Sequence, residues 1–145
     1  MNIKLVVSEV DGIITDGTQP VDELGITVFK SFYTGDFEAI NEIKKTCPFV
    51  FLSSDNYISY NLMRKKNIPF YFARKDKRSK LLEIMRRYNV TADETLYIGS
   101  KLSDIPCMNM VPTSVCTNDL LGFKYVSEMP GMGVITEVYL EYFRK

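Results

Sequence analysis

The chain predicts an α/β fold, a three-layer sandwich with a Rossmann-like parallel sheet, and three observations carry that expectation. Short continuous apolar runs recur at Leu5-Val-Val7, Phe49-Val-Phe-Leu52 and Leu96-Tyr-Ile98, the pattern of parallel strands buried on both faces. Segments with helical apolar spacing separate them, which calls for helices on both faces of the sheet. Each run also stops at polar or small residues: Ser8-Glu9, Ser53-Ser54-Asp55 and Gly99-Ser100. Such residues lie at the carboxyl edge of a sheet, where open α/β folds bind ligands.

Taken in order, the first strand runs into Asp11-Gly12 and Asp16-Gly17, both tight-turn pairs. Residues 18–25 carry Pro20, Asp22 and Gly25, and 26–32 alternate like a half-exposed strand. Together they predict a β-hairpin over 18–33, inserted before the first helix. Thr34-Gly35-Asp36 offers helix-start chemistry, with Phe37, Ile40 and Ile43 on one face of the helix that follows. A polar helix is expected over 56–66, with Tyr57, Tyr60, Leu62 and Met63 turned at least partly inward. Ile68–Phe72 reads as a shorter strand, and Pro69 demands an early or edge position in it.

A helix over 76–89 places Leu81, Ile84, Met85 and Tyr88 on one stripe. Thr91-Ala-Asp-Glu94 is a capping-box pattern for a single short turn. Residues 114–117 and 125–126 are weak strand candidates. A last helix from Val134 carries Ile135, Val138, Tyr139 and Tyr142 on one face. No repeat, low-complexity tract or linker interrupts this order, so residues 1–145 are expected to form a single domain without a cap.

Composition narrows the function. Lys plus Arg and Asp plus Glu are both 18, so the formal net charge is zero and gives no global reason for a nucleic-acid or anionic-membrane partner. No apolar run approaches transmembrane length, and no basic region followed by a long apolar stretch opens the chain; a cytoplasmic protein is expected. The three cysteines, Cys47, Cys107 and Cys116, lack Cys-x-x-Cys spacing, which indicates neither a disulfide frame nor a zinc site. Cys107 and Cys116 are expected to be small buried hydrophobes. The chain has no histidine, which removes Ser-His-Asp and Cys-His chemistry.

Glu9-Val-Asp11, Ser53-Ser54, Lys77 and Ser100-Lys-Leu-Ser-Asp104 follow one another in an order that resembles the motifs of the haloacid dehalogenase superfamily of phosphotransferases. The closer resemblance is to its small, capless branch, which includes 3-deoxy-octulosonate-8-phosphate phosphatase. The same fold forms the C-terminal domain of animal CMP-sialic acid synthetases. Asp11–Gly17, Phe29–Phe32, Asp36, Lys75–Lys77, Tyr97–Gly99, Leu102–Met108 and Gly131–Val138 all fall in the family's order, so the resemblance covers nearly the whole chain.

The resemblance implies roles residue by residue. Glu9 stands where the family's nucleophilic, metal-binding Asp belongs. Asp11 matches the general acid and base, whose backbone carbonyl also binds metal. Ser53, with Ser54 beside it, matches the phosphate-holding position, and Lys77 matches the charge-stabilising lysine. The acidic pair that completes the family's Mg²⁺ shell is replaced by Ser100 and Lys101, leaving Asp104 as the remaining carboxylate. The family's tail arginines are replaced by Met132 and Thr136. Without the resemblance, Glu9 and Asp11 read equally as a turn and cap, Lys77 as a surface charge, Ser53 and Ser54 as strand-end partners, and Arg64–Lys66 and Arg74–Lys80 as solvated helix faces.

The departures matter physically. Glu9 moves its carboxylate out by a methylene, whereas in-line attack tolerates only small misplacement. An inward-pointing Lys101 about 5 Å from a dication would cost about 6 kcal/mol at an effective dielectric of about 20. The expectation is therefore a catalytically degenerate, phosphatase-like domain with an oligomerisation or regulatory role linked to sialic-acid-type sugars, with no cofactor. The alternative is a Mg²⁺-dependent phosphatase acting on a 3-deoxy-octulosonate or nonulosonate phosphate. A homotetramer assembled through the 18–33 hairpin is expected, with a sugar-acid phosphate ligand or a nucleotide-sugar synthetase as partner. Lys101 is expected within salt-bridge distance of Glu9, Asp11 or Asp104.

Overall fold

Six parallel strands form the sheet that the apolar runs call for. The computed structural model describes residues 2–54, 57–126 and 128–145, with backbone alone at Tyr57 and Ile58. The strands are β1 (Leu5–Ser8), β2 (Phe49–Ser53), β3 (Phe70–Phe72), β4 (Thr95–Gly99), β5 (Thr113–Cys116) and β6 (Lys124–Tyr125). They lie in the order β3-β2-β1-β4-β5-β6, and Val7 of the central β1 sits beside Val50 on one side and Tyr97 on the other. β3 begins just after Pro69 and forms one edge, as a residue without an N–H requires.

The helices are α1 (Thr34–Lys44), α2 (Tyr57–Lys65), α3 (Lys77–Tyr88), α4 (Ile105–Met110) and α5 (Val134–Tyr142). Strand alternation divides the core into two layers. Val6, Phe49, Phe51, Leu96, Ile98 and Val115 pack with Ile40 and Ile43 of α1, Met63 of α2, and Ile135 and Val138 of α5. Leu5, Val7, Val50, Leu52, Tyr97 and Cys116 pack with α3 and α4 through Leu81, Ile84, Met85, Cys107 and Met108. β1, β2 and β4 are buried along their whole length, so their sequences read as unbroken apolar runs.

Several local signals act as expected. Asp76 caps α3 by accepting the Ser79 N–H, and Asn89 closes the helix in the left-handed conformation. Thr91 and Glu94 form the reciprocal capping box of a short 3₁₀ turn over Ala92–Glu94. All three cysteines are free and buried. Among the described residues, no helix is long and apolar enough to cross a membrane.

Two expectations need correction. The 18–33 hairpin is reduced to one antiparallel bridge, Val21 with Thr27, around a turn in which Gly25 adopts φ +77°. Its apolar side chains Val21, Leu24, Ile26, Val28 and Phe29 are exposed, and two strands with nothing to pack on do not sustain a ladder. Asp36 does not cap its own helix: Tyr33 is the N-cap, without a side-chain bond, and Asp36 Oδ1 instead accepts from the Ile135 and Thr136 amides at the start of α5. On α2, Met63 is buried, and Tyr60, 45% exposed, sets its ring edge-on against Phe70, so both turn at least partly inward as expected; the expectation for Tyr57 lies outside the described side chains.

Candidate functional site

β1 delivers Glu9 and Asp11 to the carboxyl edge, and the turn that follows fixes them there. The Ile13 and Ile14 amides both donate to the Val10 carbonyl, so the chain folds back at once. The Thr15 hydroxyl donates to Asp11 Oδ1 at 3.0 Å and accepts from the Gly12 and Gly17 amides, at 3.3 and 3.2 Å. Gly12 takes φ +84°, and a Cβ there would lie 2.7 Å from Ser100 Oγ. Glycine is needed at that position both for its backbone conformation and for the close approach of the β4 loop.

Three lysines meet three carboxylates at this edge. Lys77, at the first turn of α3, donates to Glu9 Oε2 and, at 2.8 Å, to Asp104 Oδ1. Lys30, from the base of the 18–33 arm, grips both Asp11 oxygens at 3.1 and 2.8 Å, and both of those side chains are almost fully buried. Lys101 Nζ stands 3.9 Å from Glu9 Oε2, with its side chain 40% exposed. Burial works to lower the Lys77 pKa, but Glu9 and then Asp104 outweigh it and hold the ammonium above its ordinary value.

The remaining acceptors are also occupied. Glu9 Oε1 takes the Val10 N–H at 2.8 Å. Asp104 Oδ1 accepts the Tyr97 hydroxyl at 2.7 Å, and Oδ2 accepts the Ser100 and Lys101 amides at 2.9 and 3.1 Å. The Ser100 hydroxyl donates to the Asp11 backbone carbonyl at 2.8 Å. Burial, then the Asp104 carboxylate, keeps the Tyr97 phenol well above its usual pKa, so it remains a donor.

The structure thus brings together Glu9, Asp11, Lys77, Ser100, Lys101 and Asp104. Ser53 is buried at the end of β2 and Ser54 is half-buried beyond it. The surface-charge reading of Lys77 is corrected, because it is almost fully buried. The predicted contact from Lys101 exists, but at the long limit; Lys77 supplies the close ion pair because its helix start faces the cluster. Lys30 was not foreseen as a site residue. Its sequence signals are its place in the Phe29–Phe32 segment and its position amid the arm's apolar residues, and nothing local says that it folds back across 19 positions onto Asp11.

No family model matches the chain. The 3-deoxy-D-manno-octulosonate 8-phosphate phosphatase KdsC of Haemophilus influenzae is 31% identical over 121 residues, which cover 81% of this chain and 67% of that protein. The chain belongs to this phosphatase family. It lies within the haloacid dehalogenase superfamily, in the capless branch that its motifs resemble. The cobalt-bound structure of the H. influenzae deoxy-D-mannose-octulosonate 8-phosphate phosphatase aligns with a TM-score of 0.86 and 27% identity, covering 94% of this chain and 85% of that one. The Moraxella catarrhalis phosphatase, solved with magnesium, phosphate and KDO, aligns with a TM-score of 0.83 over 94% of this chain and 83% of that one. At 20% identity, this second likeness speaks to the fold alone. The first of these relatives was solved with cobalt, which gives no support to the expectation of no cofactor.

In this arrangement the carboxylates at the edge are engaged by protein donors rather than set as an open octahedral shell. Mg²⁺ needs near-octahedral oxygen ligands supplied mainly by carboxylates, carbonyls and phosphate. Here every oxygen of Glu9, Asp11 and Asp104 already accepts from a lysine, a hydroxyl or an amide. The Asp11 carbonyl accepts from the Ser100 hydroxyl. Among the described residues, no group of three or more His, Cys, Asp and Glu side chains is placed to hold a metal ion.

Proposed function

We propose that this member of the phosphatase family binds and assembles rather than hydrolyses. Its catalytic edge is a self-neutralised cluster, and its role is oligomeric or regulatory in the handling of eight- or nine-carbon sugar acids. The observation that carries this reading is the Lys77 ammonium lodged between Glu9 and Asp104 while Ser100 closes on the Asp11 carbonyl. Glu9, Asp11 and Lys77 keep the positions of nucleophile, acid–base and charge stabiliser, but each is engaged with another protein group. The exposed apolar arm over 18–33 supports a homotetramer, since apolar surface of this kind marks an interface. Ser53, Ser54 and Lys77 are the residues proposed to meet a sugar-acid phosphate, with Lys77 engaged by Glu9 and Asp104 until a ligand competes for it.

The second reading is a Mg²⁺-dependent phosphatase acting on a 3-deoxy-octulosonate or nonulosonate phosphate. The names of the relatives favour it over the first, and they point to the octulosonate rather than to sialic acid. Hydrolysis of 3-deoxy-octulosonate 8-phosphate and of p-nitrophenyl phosphate, measured with and without Mg²⁺, separates the two. The first reading expects no turnover and no calorimetric Mg²⁺ binding. Metal-dependent turnover that Glu9→Gln abolishes would establish the second.

A further inference from the structure

The zero net charge conceals a polarised molecule. Residues 64–87 hold ten of the eighteen Lys and Arg but two of the eighteen Asp and Glu, a formal +8, so the rest of the chain carries −8. Lys77 is committed to the buried cluster. Arg64, Arg74, Lys75, Arg78, Arg86 and Arg87 are exposed, and none of them forms an ion pair among the described residues. They flank β3 from both layers, because α2 and α3 pack on opposite faces of the sheet.

β3 is itself unfinished. Among the described residues it pairs with β2 alone, and its other side is a sheet edge. The Phe51 N–H donates to the Pro69 carbonyl and the Ala73 N–H donates to the Ser53 carbonyl. That parity turns the Phe70 and Phe72 N–H groups away from β2, toward the open side. A cavity of 310 Å³ lies beside this edge, lined by Arg64 and Arg87 from the two layers together with Tyr60, Phe70 and Tyr71. Phe72 adds an apolar ring that is 42% exposed.

We propose that the open edge of β3 receives an extended acidic segment of a partner protein as an added strand, with its carboxylates on Arg64 and Arg87 and apolar side chains against Phe72. Strand addition gives main-chain affinity, and flanking pockets give selectivity. The rings favour a peptide over a nucleic acid. Tyr60 meets Phe70 edge-on at 6.0 Å, and the Arg87 guanidinium covers Tyr71 at 5.4 Å, so these faces are not free platforms for stacking bases. This surface is separate from the carboxylate cluster and does not depend on whether the family's chemistry survives.

The test uses the whole chain and fluorescence anisotropy with a short labelled peptide of repeated Glu-Glu-Val-Val, which as a strand puts glutamates on both faces, beside labelled oligothymidylate. The peptide should bind, and Arg64→Glu with Arg87→Glu should weaken it about tenfold or more. Phe72→Pro removes one outward N–H at an edge position that tolerates proline, and should weaken binding about tenfold, whereas Phe72→Ala, which keeps that donor, should weaken it less. Thermal melts check that each variant is folded, and the double arginine variant decides the matter alone if the proline variant is not. Absence of peptide binding, binding unchanged in the arginine variant, or tighter binding of oligothymidylate would overturn the proposal.

Discussion

Among the described residues, buried carboxylates occur at two places, and they are held in opposite ways. At the carboxyl edge Glu9, Asp11 and Asp104 are each in salt-bridge contact with a lysine, so the cluster is close to neutral without any outside ion. Where α1 meets α5, Asp36 is just as buried, but it is held by the Ile135 and Thr136 amides, and its Oδ2 has no hydrogen-bond partner among the described residues. Burial drives the Asp36 pKa up to about 6, the two amides oppose that, and nearby Glu128 adds to it. A helix N-terminus offsets only part of the cost of burying a charge, whereas an ammonium in contact offsets most of it. The carboxylate cluster at the sheet edge is electrostatically closed, and Asp36 is not.

The largest test of that contrast is Lys77→Met. It leaves Glu9 and Asp104 buried without their cation and should cost about 3–5 kcal/mol in urea unfolding. A loss below about 1 kcal/mol would mean that Lys77 does not hold the cluster together.

The pH dependence of Asp36 comes next. Its folded pKa is raised, so its stabilising contribution is fully present below the unfolded pKa of 3.8 and is lost as pH rises through about 6. A shift of about two units corresponds to about 3 kcal/mol. Asp36→Asn should therefore gain on the unaltered chain by about that amount between pH 4 and 7, read as the difference between two urea-unfolding series. Any fixed offset from the amide group cancels in that difference. Parallel pH profiles would show that Asp36 titrates normally.

Lys30→Ala should cost less, about 2 kcal/mol, because Thr15 still donates to Asp11. If the loss equals that of Lys77→Met, the arm is part of the cluster's foundation rather than a clasp on it. Lys101→Ala is the smallest change. Its side chain is 40% exposed and 3.9 Å from Glu9, and a pair of that kind is worth less than about 1 kcal/mol. A melting temperature unchanged within error is expected.

The sequence by itself determined the parallel sheet, because strands buried on both faces must be apolar without interruption, as Leu5–Val7 and Phe49–Leu52 are. It also determined the local stops, such as Asp76 and the Thr91–Glu94 box, since capping is short-range chemistry written in adjacent residues. The reading of Glu9 in place of the family's Asp, and of Ser100 and Lys101 in place of its acidic pair, comes from the resemblance and stays an expectation. Only the tertiary structure decided which lysine answers which acid. Lys77 meets Glu9 across 68 positions and Lys30 meets Asp11 across 19, and no local pattern encodes such pairs because the closing of the sheet sets them. It likewise turned Asp36 from an expected cap of its own helix into the cap of a helix 99 residues away. Charge type and apolar spacing are properties of a residue and its neighbours in the chain, whereas compensation of a buried charge is a property of what the fold brings alongside it.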